Sequence, residues 1–136
     1  MINVYISQSW KYENTYSKLM NLLKSNKKNR EFIKSYFLSN SSINIADPDN
    51  LELKNEIKKQ MSNTECVLIY DSGIEKYSRI VELEISVAKK CFANPKKVIV
   101  VLPRGALTIS TYLAKNADDI VRWNSSSISN SMKCLW

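Results

Sequence analysis

Apolar runs and helical periods alternate along this chain. "INVYIS", Ile2 to Ser7, reads as a buried strand. Tyr12, Tyr16, Leu19, Met20 and Leu23 then recur at helical spacing. After a less regular stretch, either "EFIKSYFL" or "SINIA" supplies the second strand. Asp47-Pro48 marks a helix start, because Asp can cap and Pro is tolerated at the first helical position. Leu53, Ile57 and Met61 lie along the face of that helix. "ECVLIY", Glu65 to Tyr70, is the third strand, and Asp71-Ser72-Gly73 turns out of it. A helix spans about Tyr77 to Phe92. "KKVIVVL" is the fourth strand, ended by Pro103, and a helix crosses "ALTISTYLAKNA". "DDIVRW" is the fifth strand, and the last helix begins near Asn124-Ser125 with Ile128, Met132 and Leu135 on one side.

The third and fourth strands are nearly continuous apolar runs, as expected when both faces of a parallel sheet are covered by helices. The alternation predicts one doubly wound α/β domain over residues 1–136. In such sheets ligands bind beyond the carboxyl ends of the strands, near the point where strand order reverses. The first strand flanks that point, and it is followed by Ser7, Gln8, Ser9 and Trp10. A plain turn would use Gly, Pro, Asn or Asp. Hydroxyls, an amide and an indole are instead the parts of a binding site.

A second oddity lies in "YSRIVELEISVAKKCF". Ile80, Leu83, Val87, Ala88 and Cys91 form one apolar face, and Glu84 falls inside it, whereas Glu82, Ser86 and Lys89 fall on the polar side. A carboxylate on a core-facing stripe is costly unless something satisfies it. Glu84 is therefore either a structural acid, paired or reaching water at a helix edge, or a cleft carboxylate with a chemical task.

Composition narrows the chemistry. The chain has no histidine, which excludes Ser-His-Asp and Cys-His catalysis and any histidine base. It has two glycines, Gly73 and Gly105, too few for a Walker A or GxGxxG phosphate loop. Cys66, Cys91 and Cys134 have neither disulfide-framework nor zinc-site spacing, and predict reduced thiols in a cytoplasmic protein without a metal. No signal peptide is expected at the N-terminus, and no apolar run is long enough to cross a membrane. The net charge of +7 is spread over several helices, so neither a nucleic-acid nor a membrane partner is expected. Lys76, Arg79 and Arg104 lie near strand ends, within reach of a phosphate, although lone basic residues in loops are usually plain surface.

"VYISQSW", the "DP" before the second helix, "ELEISVAKK", "VIVVLPRGA" and "ADDIVRWNSSSI" together resemble the small bacterial TIR-like domains, in particular the ThsB proteins of the Thoeris anti-phage system. The resemblance runs in order over essentially the whole chain. It implies a flavodoxin-like, five-stranded parallel sheet of order 2-1-3-4-5 with helices on both faces. It also implies cleavage of the nicotinamide–ribose bond of NAD+, which is substrate and not cofactor. Glu84 matches the family's key glutamate, and Ser7, Gln8, Ser9 and Trp10 match the loop lining the nucleotide pocket. Asp47, Ser72 and Tyr77 complete the expected substrate-contacting set. One departure is visible: relatives commonly read Ser-His-Ser-Trp where this chain has Ser7-Gln8-Ser9-Trp10, and Gln carries no proton near neutral pH. The family's usual Ser-x-Pro segment is also not cleanly present around "SNSSINIADPD".

Nicotinamide in NAD+ is already a cationic leaving group. The demanding task is to stabilise the oxocarbenium-like ribose, which a preorganised carboxylate does electrostatically. Trp10 or Tyr77 would stack on a ring of the dinucleotide or pack in the core; Ser7 and Ser9 would bond ribose or phosphate oxygens or cap the loop. The resemblance further implies a signalling enzyme whose product, a cyclic ADP-ribose isomer or a conjugate, switches on a separate effector, with a phage-derived trigger and self-association on activation. Two other readings stand beside this one. A non-catalytic TIR-like scaffold would make Glu84 structural; an FMN binder would need "SQSWKYENT" as its phosphate loop.

Overall fold

A computed structural model describes residues 2–10, 15–25, 33–38, 51–71, 78–106 and 108–133. The strands are β1 (Ile2–Ile6), β2 (Ile33–Leu38), β3 (Cys66–Tyr70), β4 (Lys97–Val101) and β5 (Asp119–Val121). The helices are α1 (Thr15–Lys24), α2 (Leu51–Met61), α3 (Ser78–Lys90), α4 (Thr111–Asn116) and α5 (Ser125–Lys133). All strand pairs are parallel, in the order β2-β1-β3-β4-β5. The second strand comes from "EFIKSYFL"; the competing segment "SINIA" lies outside the described residues, as do Asp47 and Pro48.

Side-chain alternation along the strands builds two cores. Ile2, Val4 and Ile6 of β1 and Leu68 of β3 join Leu19 and Leu23 of α1 and Ile128 and Met132 of α5 on one face. Tyr5, Val67, Ile69, Val98 and Val100 join Leu53, Ile57 and Met61 of α2, the apolar stripe of α3 and Leu113 of α4 on the other. The central strands are buried on both faces, which explains their unbroken apolar runs. Each fully buried aliphatic side chain contributes about 1.5–3 kcal/mol of transfer free energy.

Local chemistry sets several boundaries. Asn124 caps α5: its Oδ1 accepts the Ser127 N–H at 3.0 Å, leaving Ser125 as the first helical residue. The helix expected across "ALTISTYLAKNA" is shorter than its apolar pattern, covering only Thr111–Asn116. Ser110 is extended at its N-cap, and the Asp71 carboxylate accepts the Ser110 N–H at 2.9 Å, drawing this backbone toward the end of β3. β-Branched Thr108 and Ile109 add little helical preference there. After Pro103 the chain turns through Gly105 at φ +77°, a left-handed conformation that favours glycine.

Candidate functional site

The site begins where β1 ends. Tyr5 faces the α2–α3–α4 side of the sheet, and alternation places Ser7 on that side too. The Ser7 N–H donates to Leu68 O at 3.0 Å, extending the β1–β3 ladder by one residue. Gln8–Trp10 then form a single 3-10 turn, closed by Trp10 N–H to Ser7 O at 3.2 Å. This turn leaves the sheet between β1 and β3, where the strand order reverses.

Trp10 fixes the turn from the opposite face. Its ring is fully buried, its indole N–H donates to Leu68 O at 3.0 Å, and its centroid lies 4.8 Å from that of Tyr70 and 6.0 Å from that of Trp123. Core packing, the competing role for Trp10, is therefore the one these contacts describe. Stacking on a ligand would require the ring to leave that packing.

Glu84 comes from α3. The buried stripe of that helix is Ile80, Val81, Ile85, Val87 and Ala88, with Leu83 and Cys91 only partly buried. The stripe is thus rotated toward Val81 and Ile85 relative to the sequence pattern. That rotation places Glu84 nearer its centre, with no solvent exposure. Glu82 and Arg79 are exposed.

Three donors reach the Glu84 carboxylate from β1 and its loop. Tyr5 Oη donates to Oε2 at 2.6 Å, Ser7 Oγ donates to Oε1 at 2.7 Å, and the Gln8 backbone N–H donates to Oε2 at 3.2 Å. Behind Ser7 the bonds continue. Ser9 Oγ donates to Ser7 Oγ at 3.0 Å, the Ser9 N–H reaches the same oxygen at 3.1 Å, and the Tyr70 N–H donates to Ser9 Oγ at 2.9 Å. Each donor in the sequence Tyr70 N–H, Ser9 O–H, Ser7 O–H points toward the carboxylate. Aligned hydrogen bonds polarise one another, so the three donors act as one cooperative chain ending on Glu84 Oε1.

Ser7, Gln8, Ser9 and Glu84 are thus brought together, all of them buried. Asp47, Ser72 and Tyr77, expected substrate contacts, lie outside the described residues, as does Lys76. Arg104 is exposed. Tyr5 was not singled out from the sequence. Its signal was available: a residue with a polar tip inside an apolar strand, two positions before Ser7 and so on the same face. Among the described residues no group of three His, Cys, Asp or Glu could hold a metal ion. No helix among them is long and apolar enough to cross a membrane.

Cys66 and Cys91 are free thiols. Burial, reinforced by the neighbouring Glu65 charge and opposed by Lys97, pushes the Cys66 thiol up to about 12. Cys66 is therefore an inert core residue and not a nucleophile.

None of the curated proteins matches the chain. The family model described as "Thoeris protein ThsB, TIR-like domain" matches residues 5–108, a span that includes Tyr5, the Ser7–Trp10 turn and Glu84. With well over half of its length matched, this chain belongs to the family of the Thoeris ThsB TIR-like domains.

Proposed function

We propose that this protein cleaves NAD+ at the nicotinamide–ribose bond and releases a cyclic ADP-ribose isomer, a messenger that activates a separate effector in anti-phage defence. One observation carries this reading: a carboxylate buried at the sheet's switch point, with both oxygens held by donors from β1 and its loop. That geometry suits a fixed negative charge facing a developing cation.

In this mechanism Glu84 stabilises the oxocarbenium-like ribose as neutral nicotinamide departs. The leaving group starts cationic, so the absence of histidine is no obstacle. Ring closure then needs a nucleophilic atom of the same ADP-ribose to reach the anomeric carbon before water does. A buried site favours that outcome by excluding water. Because Glu84 is sealed in this conformation, NAD+ requires the pocket to open. That requirement suits an enzyme kept silent until infection triggers it, through self-association on activation.

The same network supports one alternative, a non-catalytic scaffold. The donors to Glu84 come from its own chain, so the carboxylate is satisfied without a ligand.

Nucleotide mass spectrometry separates the two. Extracts would come from cells expressing wild type or Glu84→Gln, with and without phage infection. A new ADP-ribose species confined to infected wild-type cells is the expected result, and its mass distinguishes a cyclic isomer from a conjugate. Unchanged nucleotides in every arm, with both proteins folded, would leave the scaffold.

A further inference from the structure

We infer that Tyr5 and Ser9 are positioning residues for Glu84, each acting on a different oxygen of its carboxylate. The inference rests on the proposed NAD+ chemistry for its catalytic consequence, and on geometry alone for the pairing. Tyr5 Oη meets Oε2 at 2.6 Å, a short contact of the charge-assisted kind. Its ring is fully buried in the α2–α3–α4 core, so the phenol cannot swing away without disrupting packing. Ser9 never touches the carboxylate. It donates to Ser7 Oγ at 3.0 Å, and the Ser7 hydroxyl donates in turn to Oε1 at 2.7 Å. Ser9 is itself held by the Tyr70 N–H at 2.9 Å, which ties the chain of bonds to the end of β3.

This arrangement removes rotational freedom from Glu84. A carboxylate gripped at one oxygen can turn about its terminal torsion, which is broad and soft. Gripped at both, from a strand residue and from a loop anchored to the next strand, it presents one orientation to a ligand. A residue that acts this way lowers the chemical rate when removed, while ground-state binding stays the same. Ser9 was expected to contact substrate; as a positioning residue its loss should spare KM.

The test uses full-length Tyr5→Phe and Ser9→Ala, each also combined with Glu84→Gln. In triggered NAD+ turnover, Tyr5→Phe should lower kcat roughly ten- to a hundredfold, the scale of one charge-assisted hydrogen bond, with KM unchanged. Ser9→Ala should lower kcat less, again with KM unchanged. Urea denaturation of the four-member cycle reads the pairing without any activity: the destabilisation caused by Tyr5→Phe should shrink when Glu84 is already Gln. If Tyr5→Phe does not fold, the Ser9→Ala cycle carries the same comparison. Additive destabilisation, or a KM effect with kcat unchanged, overturns the inference. Coupled destabilisation together with a wild type inert to NAD+ under trigger instead overturns the proposed reaction, and with it the catalytic role of Tyr5 and Ser9.

Discussion

Ser7 donates its hydroxyl to Glu84 Oε1 at 2.7 Å, across 77 positions of chain. The two residues meet because β1 ends at the switch point and α3 packs its buried stripe against the same face of the sheet. Neither local segment contains the site. It exists only once the β1–β3 pairing and the docking of α3 are both complete, so loss of fold and loss of site should coincide.

The chemical character of Glu84 separates two substitutions. Glu84→Gln keeps an acceptor for one donor, and the Tyr5 and Ser7 hydroxyls can reorient toward its amide. It should cost about 1 kcal/mol of stability while lowering turnover about 100- to 1,000-fold. Glu84→Ala leaves the Tyr5, Ser7 and Gln8 donors facing a cavity and should cost about 2–4 kcal/mol. Urea titrations of both variants give these values. Equal destabilisation would show that the donors are not held by the carboxylate.

Cys66 predicts an alkaline signature. Its folded thiol lies at about 12 against an ordinary value of 9.0, so above pH 9 the unfolded chain releases a proton that the native protein retains. The unfolded state then binds fewer protons, and stability falls as pH rises from about 9 toward about 12. Comparison of urea midpoints for wild type and Cys66→Ala across that range isolates the effect; parallel curves would contradict it. By the same token, alkylation mapped by mass spectrometry should label half-buried Cys91 in the native protein, and Cys66 only after unfolding.

Gly105 tests backbone conformation without packing. A Cβ added there meets nothing within 4 Å, so only the positive φ of 77° opposes a side chain. Gly105→Ala should therefore destabilise by about 1 kcal/mol, and Gly105→Asn by less, since Asn tolerates this region better. Thermal melts of the two would rank them; an Ala variant as stable as wild type would mean the turn relaxes at no cost.

Much of this architecture can be read in the residues. Strands such as Cys66–Tyr70 and Lys97–Val101 announce themselves because burial on both faces demands unbroken apolar runs. Glu84 stood out for the complementary reason, being a charge where the helix period requires an apolar group. Less was legible where a long-range contact decides the outcome. Thr111–Asn116 is short partly because Asp71, distant in sequence, takes the Ser110 N–H. The weight given to Leu83 and Cys91 misjudged the rotation of α3, because one helix read alone does not reveal which sheet residues it meets. Tyr5 escaped notice for the same reason. In an apolar strand it reads as a core ring, and its hydroxyl acquires a purpose only when Glu84 arrives from 79 positions away.

The rings of Trp10, just past β1, of Tyr70, the last residue of β3, and of Trp123, just past β5, have centroids 4.8–6.1 Å apart. At such separations excited states are shared, so Trp10 and Trp123 should couple in near-ultraviolet circular dichroism and pass excitation between them. Trp10 also shares Leu68 O with Ser7, which places this optical cluster one bond away from the carboxylate network. Any opening that lets a dinucleotide reach Glu84 should therefore shift the protein's own fluorescence.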